Sequence, residues 1–207
     1  MMNELMQPIA LIEMSISCAV LIVLLLQKLS MKAWPMLPKA VLMIVLANLF
    51  FWPIGLSLEL PLAAYARGVT GDLSVVTMLL LWSTLFALNR PTPLSFKAFI
   101  AIVAIIFYPF ALGLGMTDPY IWGYGSTIFL VSVILLAAIC GLANWSKGIW
   151  IIAIAIIAWS AHWHESANLW DYLLDPFLAI WVLVSSLGAL NRRRKDKARS
   201  GYLFRPG

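Results

Sequence analysis

The sequence predicts an all-α polytopic membrane protein, a bundle of about seven transmembrane helices with a short outer interfacial helix near residues 167–174. Three observations lead there. Hydrophobic residues make up 63% of the 207 and charged residues only 11%, against the quarter or so that is usual in soluble domains. The apolar residues fall in continuous runs and do not alternate, which suits helices whose backbone groups are satisfied internally in lipid and not a transmembrane barrel. Finally, Lys and Arg gather on alternate connections between the runs.

The first run, about Pro8 to Leu26, has no Lys or Arg before it and no small-residue cleavage pattern after it, so it reads as a retained span and not as a secretory signal. Lys28, Lys32 and Lys39 lead to a second run, about Ala40 to Leu58. A connection from Glu59 to Gly71 carries Pro61, Gly68 and Gly71. The third run begins at Asp72-Leu73-Ser74 and extends to Leu88. Asn89-Arg90-Pro91-Thr92-Pro93 is a breaker-rich turn, with Ser95 as expected N-cap of a fourth run that ends near Leu114. Asp118-Pro119 opens the next connection, and the fifth run spans Ser126 to Ala143. Asn144-Trp145-Ser146-Lys147-Gly148 turns into the sixth, about Ile149 to Ala161. The seventh runs from Pro176 to Leu190, so residues 1–190 form the membrane domain and 191–207 a basic tail.

Seven spans put Lys28, Lys32, Lys39, Arg90, Lys97, Lys147 and the tail residues Arg192, Arg193, Arg194, Lys195, Lys197, Arg199 and Arg205 on one side. By the positive-inside rule that side is cytoplasmic and the N-terminus is extracytoplasmic, in a cell or inner membrane. Eight of the nine acidic residues, Glu4, Glu13, Glu59, Asp72, Asp118, Glu165, Asp171 and Asp175, fall on or near the outer side, where Arg67 is the single basic residue. The basic tail is read as a contact for anionic lipid headgroups, not for nucleic acid. Membrane lipids and a membrane-protein partner are the partners this layout implies.

Chemistry concentrates in three outer connections. The first offers Glu59, Tyr65, Arg67 and Asp72, the second Asp118, Tyr120, Trp122 and Tyr124, and the third both histidines, His162 and His164, with Glu165, Asn168, Asp171, Tyr172 and Asp175. Asn168, Asp171, Tyr172 and Asp175 follow i, i+3, i+4, i+7 spacing and predict the polar face of the interfacial helix, with Ser166 as its cap. Arg67, Asp72, Asn168, Asp171, Tyr172 and Asp175 are the candidate binding residues. Arg67 is expected to pair with Asp72 and with Asp171 or Asp175, or to hold a phosphate through its five-donor fork. His162, His164, Glu165 and Asp171 are the candidate proton-transfer groups. The His-x-His spacing of His162 and His164 suits a metal, yet no fourth ligand is evident, and nothing in the sequence names a cofactor.

Plainer roles compete for the same residues. Asp118-Pro119 and Asp175-Pro176 match a helix cap followed by Pro at the first helical position, and Asp72 with Ser74 also suits a helix start. Gly113 and Gly115 fit a helix end better than a phosphate loop, which would need a basic partner. Cys18 and Cys140 lie in separate apolar runs, so neither a disulfide framework nor a zinc site is indicated. Gly123-Tyr124-Gly125-Ser126 together with His162 resembles, over those residues alone, the rhomboid-type intramembrane serine proteases, which pair a serine at a helix start with a histidine on a later helix. Thr127 stands where that family commonly has glycine. No internal repeat supports an inverted-repeat transporter. The function expected first is therefore a non-catalytic subunit or accessory factor for envelope lipid or glycan handling, then a membrane enzyme acting at the outer face on a lipid-linked or phosphate-bearing substrate, then a small transporter.

Overall fold

The computed structural model describes residues 2–31, 34–55, 59–85 and 91–203, with side chains from residue 7 to residue 196. The expected ends of the second and third runs at Leu58 and Leu88, the Asn89-Arg90 turn, and the side chains of Glu4, Lys32, Lys197, Arg199 and Arg205 lie outside the described residues. Among the described residues the fold is all-helical: α1 Met2–Ser30, α2 Met36–Phe51, α3 Leu62–Thr70, α4 Val75–Ser83, α5 Leu94–Ala111, a 3₁₀ turn Pro119–Gly123, α6 Thr127–Leu142, α7 Ser146–Ser160, α8 Leu169–Leu173 and α9 Pro176–Leu203.

Each expected run holds a helix, but the lengths differ from seven uniform spans. Two stretches, Gln7–Ser30 and Leu94–Ala111, are long and apolar enough to cross a membrane. They are 33% and 28% buried, too little for the core helices of a soluble globule, which are buried for most of their length. Helices α2, α6 and α7 have 16, 16 and 15 residues, about 24 Å or less at 1.5 Å per residue against a hydrocarbon core of about 30 Å. Helix α9 begins at Pro176 as expected and continues through the basic tail.

Helix ends follow local chemistry. Pro35, Pro61 and Pro93 stand at the N-caps of α2, α3 and α5, so Pro93 takes the place expected of Ser95. Ser126 caps α6 by accepting from Phe129 N, and Asp118 caps the 3₁₀ turn by accepting from Tyr120 N. Three helices close alike. At α5, Leu114 N bonds Pro109 O and Gly113 N bonds Phe110 O; Asn144 at the end of α6 and His162 at the end of α7 repeat the pattern. Gly113, Asn144 and His162 all have positive φ (85°, 54° and 53°), the left-handed position of this stop, where Asn and His are tolerated better than branched residues. Gly113 thus ends a helix, and His162 turns the chain.

Helix α1 packs on α2, α3 and α4; α7 on α4, α6 and α8; α5 on α9. Close approach is made by small residues: Ser15, Ser17, Ala19 and Ala63 are at most 1% exposed, as in helix pairs held by packing and interhelical hydrogen bonds. One such bond runs from Trp82 Nε1 to Ser17 Oγ at 3.0 Å. The outside of the bundle is apolar. Ile44, Ile105, Ile128, Leu135 and Ile157 are exposed, and α2 buries none of its residues.

Candidate functional site

The site forms where α8 and the segments flanking it pack between the starts of α4 and α9, the end of α5, and the 3₁₀ turn. Helix α8 lies where the interfacial helix was expected, but it is short and its polar side faces inward. Tyr172 and Asn168 have no exposed surface and Asp175 is 5% exposed. The spacing that groups Asn168, Asp171, Tyr172 and Asp175 is real; the side they face is the protein, not the headgroup layer. Its cap is Asn168, whose Oδ1 accepts from Trp170 N at 2.9 Å, and not Ser166.

The polar groups of that inward side meet partners from the starts of α4 and α9, the 3₁₀ turn and the segment before α8. Asn168 Nδ2 donates to Tyr120 O at 2.9 Å. A Cβ on Gly123 would sit 1.6 Å from Asn168 Oδ1, so this approach requires glycine. Trp170 Nε1 donates to Pro119 O at 3.0 Å. Tyr172 accepts from His164 N at 3.0 Å, and its hydroxyl lies 3.0 Å from Ser166 O. The ring of His164 stacks on that of Tyr172 at 4.8 Å. Asp175 accepts from Ser74 N and from Leu178 N, both at 2.7 Å, so one carboxylate caps α9 and pins the start of α4. Burial raises the Tyr172 phenol, an effect partly offset by the His164 backbone.

Around this plug lie three charged groupings. Arg67 closes on Asp72 with both prongs of its fork, through Nε and through Nη2 at 2.9 Å, and reaches Glu165 at 3.2 Å. The reversal that brings Asp72 back to Arg67 is made at Gly71, with φ 73° and its N–H on Arg67 O. The Asp72 hydrogen bond raises the Arg67 guanidinium further above its ordinary value. Burial pushes the Asp72 carboxyl up, but the hydrogen bond and charge of Arg67 outweigh it and hold the group below the usual carboxylate range. Glu13 of α1 accepts from Trp163 Nε1 and lies 3.3 Å from His164 Nε2. Asp171 accepts from Tyr120 Oη at 2.8 Å and from Ser166 Oγ, both on the same oxygen. Burial first, and then Asp171, raises the Tyr120 phenol.

Beside these groupings lies a cleft of about 510 Å³, whose polar lining includes Asp72, Tyr108, Tyr120, His164, Asp171 and Asp175. The sequence pairs Arg67 with Asp72 as the structure does, whereas its second carboxylate is Glu165 and not Asp171 or Asp175. Two carboxylates occupy Nε and Nη2 of Arg67, so a phosphate taken by that fork would compete with them. His162 is exposed, with Nδ1 3.3 Å from Ser160 O, while His164 is buried, so the two do not converge on one metal position. Among the described residues no three His, Cys, Asp or Glu side chains are grouped to hold a metal ion. Ser126 Oγ serves its own helix as a cap and His162 leans on its own backbone; neither bond joins them into a dyad.

Sequence reasoning missed α3, read as connection, and the docking of Glu13 onto Trp163 and His164. The former has a signal, Pro61 before it and Gly71 after it. The latter has only the isolated carboxylate within an apolar run. No protein-family model matches the chain, no curated protein is detectably similar in sequence, and no solved structure is detectably similar in fold. The function therefore rests on the cleft itself.

Proposed function

We propose that the chain is a multi-pass membrane protein of about seven spans, its N-terminus extracytoplasmic and its C-terminus cytoplasmic, that presents an acidic extracytoplasmic cleft and serves as a non-catalytic accessory subunit in handling envelope lipids or glycans. The observation that carries this reading is the inversion of polarity: apolar side chains cover the outside, and a hydrogen-bonded polar plug closes a cleft at one end. The charge pattern supports the orientation, because five carboxylates, Glu13, Asp72, Glu165, Asp171 and Asp175, lie around the plug or cleft. Lys39, by contrast, reaches Leu85 O beyond the far end of α4, and Arg192, Arg193 and Arg194 follow the apolar part of α9. Short apolar helices such as α2 and α6 fit a membrane through local thinning or snorkelling of flanking residues.

The accessory reading is favoured because three of the four candidate proton-transfer groups are occupied, His164 by Glu13 and the Tyr172 ring, Glu165 by Arg67, Asp171 by two hydroxyls, while His162 is exposed and not in the cleft lining. Purification of the full chain in mild detergent is expected to recover a membrane-protein partner in fixed stoichiometry. A chain isolated alone that turns over a lipid-linked substrate would instead establish the enzyme, for which the presence of His164 and Asp171 in the cleft lining speaks.

A further inference from the structure

The cleft has an unusual charge account. Three carboxylates, Asp72, Asp171 and Asp175, line it. The cation beside it, Arg67, is spent on Asp72 and Glu165, and the ion pairs among the described residues include neither Asp171 nor Asp175. Asp175 is satisfied by two backbone N–H groups at helix starts, whose dipoles suit a carboxylate. Asp171 is different. Both its donors are neutral hydroxyls, on Oδ2, so its charge has no cationic partner among the described residues.

Aromatic rings share the lining with His164, Ser166 and a few aliphatic side chains. Phe107, Tyr108, Tyr120 and Trp170 all line the same space, with Phe107 at 4.3 Å from Trp170 and 5.4 Å from Tyr108 between ring centroids. Tyrosine rings beside a carboxylate with no ion-pair partner are the chemistry that recognises an ammonium group: rings attract a cation through their quadrupoles and the carboxylate supplies the counter-charge. An anion would meet Asp171 and Asp175 and be repelled. A neutral sugar would leave the charge of Asp171 without a cation.

The mouth points to how such a group arrives. Leu112 and Pro176 line the cleft and are exposed, Leu112 at 78%. Leu114, just after α5, and Phe177 of α9 add exposed apolar surface at that edge. That edge would carry acyl chains while the head entered the cleft.

We propose that the cleft binds an ammonium head group, held by Asp171 and the rings of Tyr108 and Tyr120, as the ligand class of the accessory site proposed above, on which the choice of a lipid source rests. Lipid-borne and free ammonium compounds share this chemistry, and the test separates them.

The full chain in uncharged maltoside micelles is titrated with radiolabelled choline by equilibrium dialysis, in competition with 3,3-dimethyl-1-butanol, its uncharged isostere, and with short-chain lipids bearing choline, ethanolamine or glycerol heads. Saturable choline binding at least tenfold tighter than that of the isostere is expected. Asp171→Asn and Tyr108→Leu are each expected to weaken it about tenfold, with thermal unfolding of each variant confirming that it folds. Tighter competition by ethanolamine- or choline-headed lipid than by choline supports a lipid source, and equal competition a free amine. Choline no tighter than its isostere, or no binding by native protein, overturns the proposal whatever the variants do. The orientation fails separately. A cleft that binds choline but is labelled from the cytoplasm keeps the ligand class and loses the extracytoplasmic reading.

Discussion

Helix α2 and the connection between α7 and α9, residues 161–175, are nearly equal in length and opposite in character. Helix α2 is almost wholly apolar and buries none of its 16 residues. The connection is rich in polar groups and buries His164, Asn168, Tyr172 and Asp175. In water the first would be driven inside and the second left out, because apolar area is what water expels. The reversed arrangement is stable where the surrounding solvent is itself apolar: exposed Ile44 and Val45 then cost nothing, and each polar group must find a protein partner. The connection meets that demand with bonds from α4, α9 and the 3₁₀ turn, whereas α2 makes no such demand.

Substitutions can break or sharpen this contrast. The largest loss is expected at Asp175, where Asp175→Ala removes the α9 cap and leaves two buried N–H groups without an acceptor, a cost of about 3 kcal/mol. Asp175→Asn keeps one acceptor and should lose less than half of that, both read by reversible unfolding in micelles. Gly123→Ala comes next. Its Cβ must displace the side chain of Asn168, at about 2 kcal/mol, and a variant as stable as the native chain would show that the 3₁₀ turn is not clamped to the plug. Tyr172→Phe keeps the ring on His164 but deprives His164 N of its acceptor, with an expected loss of about 1.5 kcal/mol.

The Arg67–Asp72 pair is partly exposed, its side chains 23% and 32% accessible, so solvent screening limits it to under about 1 kcal/mol. Its sign with pH follows from the lowered Asp72 carboxyl. The folded value lies below the unfolded value near 3.8, so the contribution is fully present above that pH and is lost as pH falls through the lower folded value. Asp72→Asn should remove this acid-side loss while leaving stability at pH 7 only slightly reduced. The smallest effect belongs to α2: Val45→Ala should change unfolding by no more than about 0.5 kcal/mol, because Val45 is 57% exposed and packs little.

The helices were legible because apolar runs are bounded by residues with strict local roles. Pro176 after Asp175, Pro119 after Asp118 and Ser126 each mark a start that the backbone uses. The facing of the plug was not. Periodicity places Asn168, Asp171, Tyr172 and Asp175 on one side of the chain, yet whether that side meets water or protein depends on Tyr120 and Ser74, whose bonds to the plug cross from 48 to 101 residues. Arg67 and Asp72 were legible as partners because five residues separate them; Glu165 lies 98 residues away and nothing local selects it over Asp171. His162 drew attention as a ligand by residue type, and its role comes from φ, which the sequence does not display.

The central claim is that the plugged cleft opens on the extracytoplasmic side of a membrane. A variant with Cys18 and Cys140 replaced by Ser, carrying one new cysteine at either Ala167 or Arg194, tests it with a membrane-impermeant maleimide on intact cells. Ala167 is exposed beside the plug and Arg194 lies in the basic part of α9. The account predicts that Ala167→Cys is labelled on intact cells and Arg194→Cys only after permeabilisation; labelling in the reverse order, or of both positions on intact cells, would contradict it.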